Sequence, residues 1–170
     1  IAQLVAGEIG RSSGGQVADR ASTQQAAGPR TAAGRVDAAS AQRIGGLVGA
    51  RYVVTGNFVD AFGKMRVNAR IVDVQSGQFL QAVTNDDPSL HDRAKLHASI
   101  QYVSRKLLEG LKLAPPAPGP AIGLEAILAY SLGLAAEEKG ERETAAGHYR
   151  VALERASGFA EAQEALQRVR

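Results

Sequence analysis

The sequence predicts an α+β (or α/β) domain, with a three- to four-stranded mixed sheet covered by helices, followed by an all-α helical hairpin plus an extra helix. Three observations carry that reading. Between residues 52 and 84 the apolar residues follow strand periods broken by turn residues, and on either side of that stretch they recur at helical spacing. Four of the six prolines, Pro115, Pro116, Pro118 and Pro120, fall within ten residues and divide the chain. Alanine supplies 31 of the 170 residues, and most lie outside the strand-like stretch, where small side chains suit closely packed helices.

The elements follow in order. Ile1, Leu4, Val5 and Ile9 have helical spacing, and Gly10, Gly14 and Gly15 end that helix. Gln16 to Asp19 reads as a short strand, and the Ala/Gly-rich run from Ala21 to Gly34 as loop or weak helix. Asp37 is placed to cap a helix through Ile44, Leu47 and Val48, with Gly49 to end it. Tyr52 to Val59 carries β-branched and aromatic residues on both faces and reads as a strand buried on both sides. Ala61 to Gly63 turns the chain. Met65, Val67, Ala69 and Ile71 then alternate with Lys64, Arg66, Asn68 and Arg70, which predicts a strand with one wet face. Gln75 to Gly77 is a turn, Phe79 to Thr84 pairs back as a hairpin, and Asn85 to Pro88 ends the sheet. Ser89 and Asp92 form a capping-box-like start to a helix reaching Leu111. Its stripe of Leu96, Ile100, Val103, Leu107 and Leu111 is expected to cover the sheet.

These elements divide into residues 1–113, a semi-rigid proline-rich linker at 114–123, and a helical segment at 124–170. The chain is expected to continue at both ends, since residue 1 is Ile and Arg170 follows no Gly or Pro stop signal.

Composition excludes several classes of chemistry. With no cysteine there is no disulfide framework, thiol nucleophile or thiolate metal site. No apolar run approaches the ~18 residues of a membrane span. The six-residue spacing of His91 and His97 puts them on different helix faces, so no metal site is expected, and no catalytic residue or cofactor is assigned. Gly45, Gly46 and Gly49 lie between a helix and a strand, the reverse of the strand-loop-helix order that cradles phosphate. The net charge of +3 and pI near 9.4 come largely from Arg. Lys64, Arg66 and Arg70 form a basic row that is either a solvated face or a face for an anionic partner. No aromatics interleave it as nucleic-acid binding would require, so no nucleic-acid partner is expected.

Two stretches resemble known families. The run Arg43 to Phe58 (RIGGLVGARYVVTGNF), followed by Met65 to Gly77 (MRVNARIVDVQSG), resembles the CsgG-like and TolB-amino-terminal-like domains of bacterial envelope proteins. The resemblance covers residues 1–113 and implies that Val17 to Arg20 corresponds to the family's second strand, with its first strand preceding Ile1. Pore-forming members carry long membrane-crossing hairpins, whereas the connections here are short turns, so the chain resembles the soluble members. In the helical segment, Leu132, Gly133, Gly140, Ala145, Tyr149 and Ala152 match the spacing of a tetratricopeptide repeat (TPR) over Ala126 to Phe159. Ala136 and Ser157 depart from the usual aromatic and proline.

These resemblances imply a non-enzymatic protein-interaction or scaffold component of a periplasmic or outer-membrane-associated assembly. Its partner would be a protein or peptide, and a homo-oligomer is allowed. The alternatives are a regulatory module attached to a signalling output domain and, more weakly, a subunit of a secretion ring. The candidate peptide-binding row, on the concave face of the repeat's first helix, is Ile127, Tyr130, Leu134, Glu137 and Glu138. The competing expectation is that this row packs within the chain, because so short an array cannot bury its own faces.

Overall fold

A computed structural model describes residues 2–12, 16–18, 20–32, 36–117 and 119–170. It is an α+β arrangement. Its helices are α1 (Ala2–Gly10), α2 (Arg20–Ala32), α3 (Ala38–Leu47), α4 (Leu96–Gly110), α5 (Leu124–Glu138), α6 (Arg142–Arg155) and α7 (Ala160–Arg168). The strands β1 (Tyr52–Ala61), β2 (Lys64–Asp73) and β3 (Phe79–Thr84) form one antiparallel sheet in the order β1-β2-β3. The sheet is therefore antiparallel rather than mixed, because two hairpins in succession leave no crossover. Gln16 to Ala18 form no strand and Val17 is exposed; Asp19, the end of that expected strand, lies outside the described residues.

One open alternative is decided and one expectation changes. The Ala/Gly-rich run, read as loop or weak helix, is a helix, α2, kinked at Gly28, where φ is +69°; Gly34, the end of that run, lies outside the described residues. The helix expected to start at Ser89 begins at Leu96. Before it come two 3-10 turns, Pro88–Leu90 and Arg93–Lys95, each with its own aspartate cap. Asp87 accepts from the Ser89 N–H at 2.9 Å, and Asp92 accepts from the Ala94 N–H at 2.8 Å. Each carboxylate bonds two residues ahead, so Ser89 and Asp92 do not form the reciprocal pair of a capping box. The α3 cap is as the sequence suggests: Asp37 accepts from the Ser40 N–H at 2.8 Å, and Gly49 takes φ +66° beyond the helix end.

The sheet is covered unequally. On one face Met65, Val67, Ala69 and Ile71 of β2 are buried against Ile100, Val103 and Leu107 of α4, each of these three fully buried. Side chains of this size each contribute about 1.5–3 kcal/mol when removed from water. On the other face α3 covers only the base of the sheet. A Cβ at Gly45 would collide with Val53 and Val74, so glycine sets that contact. Neither α4 nor α3 reaches the β1–β2 turn. β1 is thus an edge strand whose outer half is exposed, with Phe58 at 54% and Val59 at 52%, rather than a strand buried on both sides.

The proline-rich stretch is docked rather than free. Ile122 is buried in the core, and its N–H donates to His97 Nδ1 on α4 at 3.3 Å. Burial of His97 lowers its pKa, keeping the ring neutral and its acceptor available. On the other side of the join, α1 packs against both α4 and α7, and Arg11 bonds Glu161 at 2.6 Å. One apolar cluster therefore runs from Val67 and Val103 through Ile122 to Tyr149 and Phe159.

Where β3 stops pairing, Asn85 continues it. Its N–H donates to Val67 O, its Oδ1 accepts from Val67 N–H at 2.9 Å, and its Nδ2 donates to Met65 O at 3.1 Å. The side chain is fully buried and also reaches Ser99 on α4. Asn85→Ala leaves a buried N–H and a buried C=O unpaired, each costing about 1–3 kcal/mol. A loss of about 2–4 kcal/mol is expected, read as a lower urea midpoint at unchanged slope.

Candidate partner-binding surface

α5 and α6 form an antiparallel pair. Glu125 near the start of α5 meets Arg155 at the end of α6 in an ion pair, and Gly133 meets Tyr149 midway. A Cβ at Gly133 would enter the Tyr149 ring, so this glycine permits the close approach of the two helices. The turn between them uses Gly140 at φ +78°.

The pair has two faces. On the inner face Tyr130 packs against Phe159 and Tyr149, with ring centroids 5.0 and 5.7 Å apart. Burial pushes the Tyr130 hydroxyl pKa up to about 12. The Tyr149 hydroxyl donates to Glu137 Oε2 at 2.5 Å, and burial together with this bond raises its pKa as well. Arg168 of α7 grips the same carboxylate through Nε and Nη2 at 2.7 and 3.0 Å. Arg168 first, and Tyr149 after it, hold Glu137 below the usual carboxylate range despite partial burial.

The row expected to take peptide therefore makes contacts within the chain. Ile127 is 3% and Tyr130 4% exposed, and Leu134 is half-buried against the core. Glu137 is held by Arg168 and Tyr149, and Glu138 accepts from Arg20 and from Gln24 of α2. The basic row stays together and exposed: Lys64, Arg66 and Arg70 share the face of β2 turned away from α4. The Arg70 guanidinium lies 5.5 Å from the Phe79 ring centroid.

The outer face of the α5–α6 pair was not singled out by sequence. Leu128, Leu132 and Val151 are 54%, 56% and 41% exposed and line one open groove of about 320 Å³. His148 and the Glu125–Arg155 pair stand at its rim. Leu128 and Leu132 are four apart on α5, and Val151 faces them across the helix pair, a signal the sequence does contain. It was obscured because α5 is apolar nearly all round.

Among the described residues no group of three or more His, Asp or Glu side chains is placed to hold a metal ion. No described helix is long and apolar enough to cross a membrane. No family model, curated protein or solved structure matches the chain.

The Glu137 cluster has a pH signature. Its folded pKa lies below the unfolded value, so its contribution is complete above the unfolded carboxylate range and is lost as pH falls through the folded value. Glu137→Gln is expected to lower stability by roughly 1 kcal/mol at pH 7. The gap from the native protein should stay constant between pH 7 and about 5 and close below about pH 4, as followed by urea denaturation.

Proposed function

We propose that the protein is a non-enzymatic interaction component of a bacterial envelope assembly, pairing a CsgG/TolB-like α/β part with a TPR-type helical hairpin. One observation carries the site of action: the open apolar groove of Leu128, Leu132 and Val151 on the outer face of α5–α6. The TPR reading is supported by Gly133 against Tyr149 and by the antiparallel pair they join. The CsgG/TolB-like reading is supported by the two short hairpin connections and the long closing helix α4.

The groove has the chemistry of a helix-in-groove site. Two leucines one turn apart and a facing valine make an apolar floor, and a cation, an anion and an imidazole stand at the rim. An amphipathic partner helix would bury its own i, i+4 apolar pair on that floor and keep its polar face in water. Binding alone is required of such a surface.

A photo-crosslinking residue substituted at Leu132 in the bacterial host should join the protein to a partner. The same residue at buried Ile127 should not. Leu128→Glu with Leu132→Glu should reduce a crosslink from Val151 at least tenfold while leaving the circular dichroism melt unchanged. Equal crosslinking from positions 127 and 132, or none from either, contradicts the proposal.

A further inference from the structure

β1 pairs with β2 through its odd-numbered residues. Arg51 O accepts from Val74 N–H in the register that pairs Tyr52 with Asp73, so Val53, Thr55, Asn57, Val59 and Ala61 direct their backbone groups to β2. The N–H and C=O groups of Tyr52, Val54, Gly56, Phe58 and Asp60 therefore point away from the sheet, along its free edge. Among the described residues no hydrogen bond reaches that edge.

Such edges are usually guarded by proline, a bulge, an inward charge or an edge lysine. β1 has no proline, bulge or lysine, and its one charge, Asp60, lies next to the turn on the face it shares with Met65, where Arg93 pairs with it. The strand pairs with β2 over ten consecutive residues without a bulge and ends in a two-residue turn, Phe62-Gly63, where both φ values are positive (54° and 78°). Phe62 is fully exposed there, at a position that favours Asn, Asp or Gly. Apolar side chains stand open on both faces of the exposed half, Phe58 on the α4 side and Val59 on the other. A strand that covers this edge must bring apolar residues to both faces at the same level.

We infer that the edge is an interface between two copies of this chain, with β1 pairing antiparallel to β1 of a second copy about a two-fold axis at Gly56. The β1 sequence is complementary to itself about that residue. Val54 falls opposite Phe58, Val53 opposite Val59, and Tyr52 opposite Asp60. Every outward N–H and C=O then finds a partner, and the two sheets join into one of six strands. Gly56, without a side chain, leaves room for the diagonal Phe58 ring of the second copy. Charge agrees with this choice of occupant. Arg51 comes opposite Ala61 of the second copy and Asp60 opposite Tyr52, so no two charges face each other. Asp60 itself already pairs with Arg93, so no unpaired like charges meet. The inference is independent of the α5–α6 groove, which lies on other elements.

Because the protein has no cysteine, single cysteines test both the contact and its register. Thr55 and Asn57 face each other in this register as a non-hydrogen-bonded pair, with Cα atoms about 4.5 Å apart. A mixture of Thr55→Cys and Asn57→Cys proteins should form the mixed disulfide at least tenfold faster than either forms its own. Sedimentation equilibrium of the unmodified protein should show a dimer. Phe58→Pro, which removes an outward N–H and the ring but no bond to β2, and Phe58→Lys should each weaken the dimer at least tenfold while leaving the circular dichroism spectrum unchanged. A protein that stays monomeric to millimolar concentration overturns the inference. So does a dimer that both Phe58 variants leave intact, a disulfide rate with no preference for the mixed pair, or a monomer whose Gly56 and Phe58 amides resist hydrogen exchange under another segment.

Discussion

The seating of α4 against β2 is the contact on which the other elements depend. Ile100, Val103 and Leu107 meet the inward row of Met65, Val67, Ala69 and Ile71, and neither set is covered without the other. A three-stranded sheet with one face unburied has little independent stability. Once α4 is seated, its far side receives α1, and His97 on the same helix takes the Ile122 N–H that fixes the proline-rich stretch. The helical pair is then held against the rest of the molecule by Ile122, by α1 and by the Arg11–Glu161 bond.

This arrangement explains why the inner face of α5 is closed. Its apolar residues are buried on Phe159, on α7 and beside α2, and Glu137 and Glu138 are anchor points for Arg168 and Arg20. Two of the surfaces that stay open are the outer face of α5–α6 and the outer half of β1. Both lie beyond the reach of α4 and α3, and both present large apolar side chains that the chain's own core leaves uncovered.

Local signals in the sequence were reliable where one element decides the outcome. The Asp37 cap, the alternation of β2, the stripe of α4 and the glycine that seats Tyr149 all follow from residue type and spacing. Errors arose where a neighbour decides. Tyr52 to Val59 has the composition of a buried strand, yet its exposure depends on how far α3 and α4 extend over the sheet. Residues 21–32 have weak periodicity that left loop and weak helix both open, and contacts with α3 and Glu138 decide for the helix. The helix before Leu96 was displaced by two aspartate-capped turns whose local bonds compete with helix initiation. Asn85 read as a sheet terminator, and nothing in its neighbours marks it as the side chain that completes the β2 ladder. The candidate peptide row had the right spacing for a helix face, but spacing alone does not say whether that face meets solvent or its own chain.

The sheet, α4 and the α5–α7 helices share one core and should unfold together. Native-state hydrogen exchange of the intact protein tests it most directly. The slowest amides of β2, α4, α5 and α6 should exchange with a common opening free energy and the same denaturant dependence. A separate, lower plateau for α5 and α6, with β2 and α4 still protected, would contradict it.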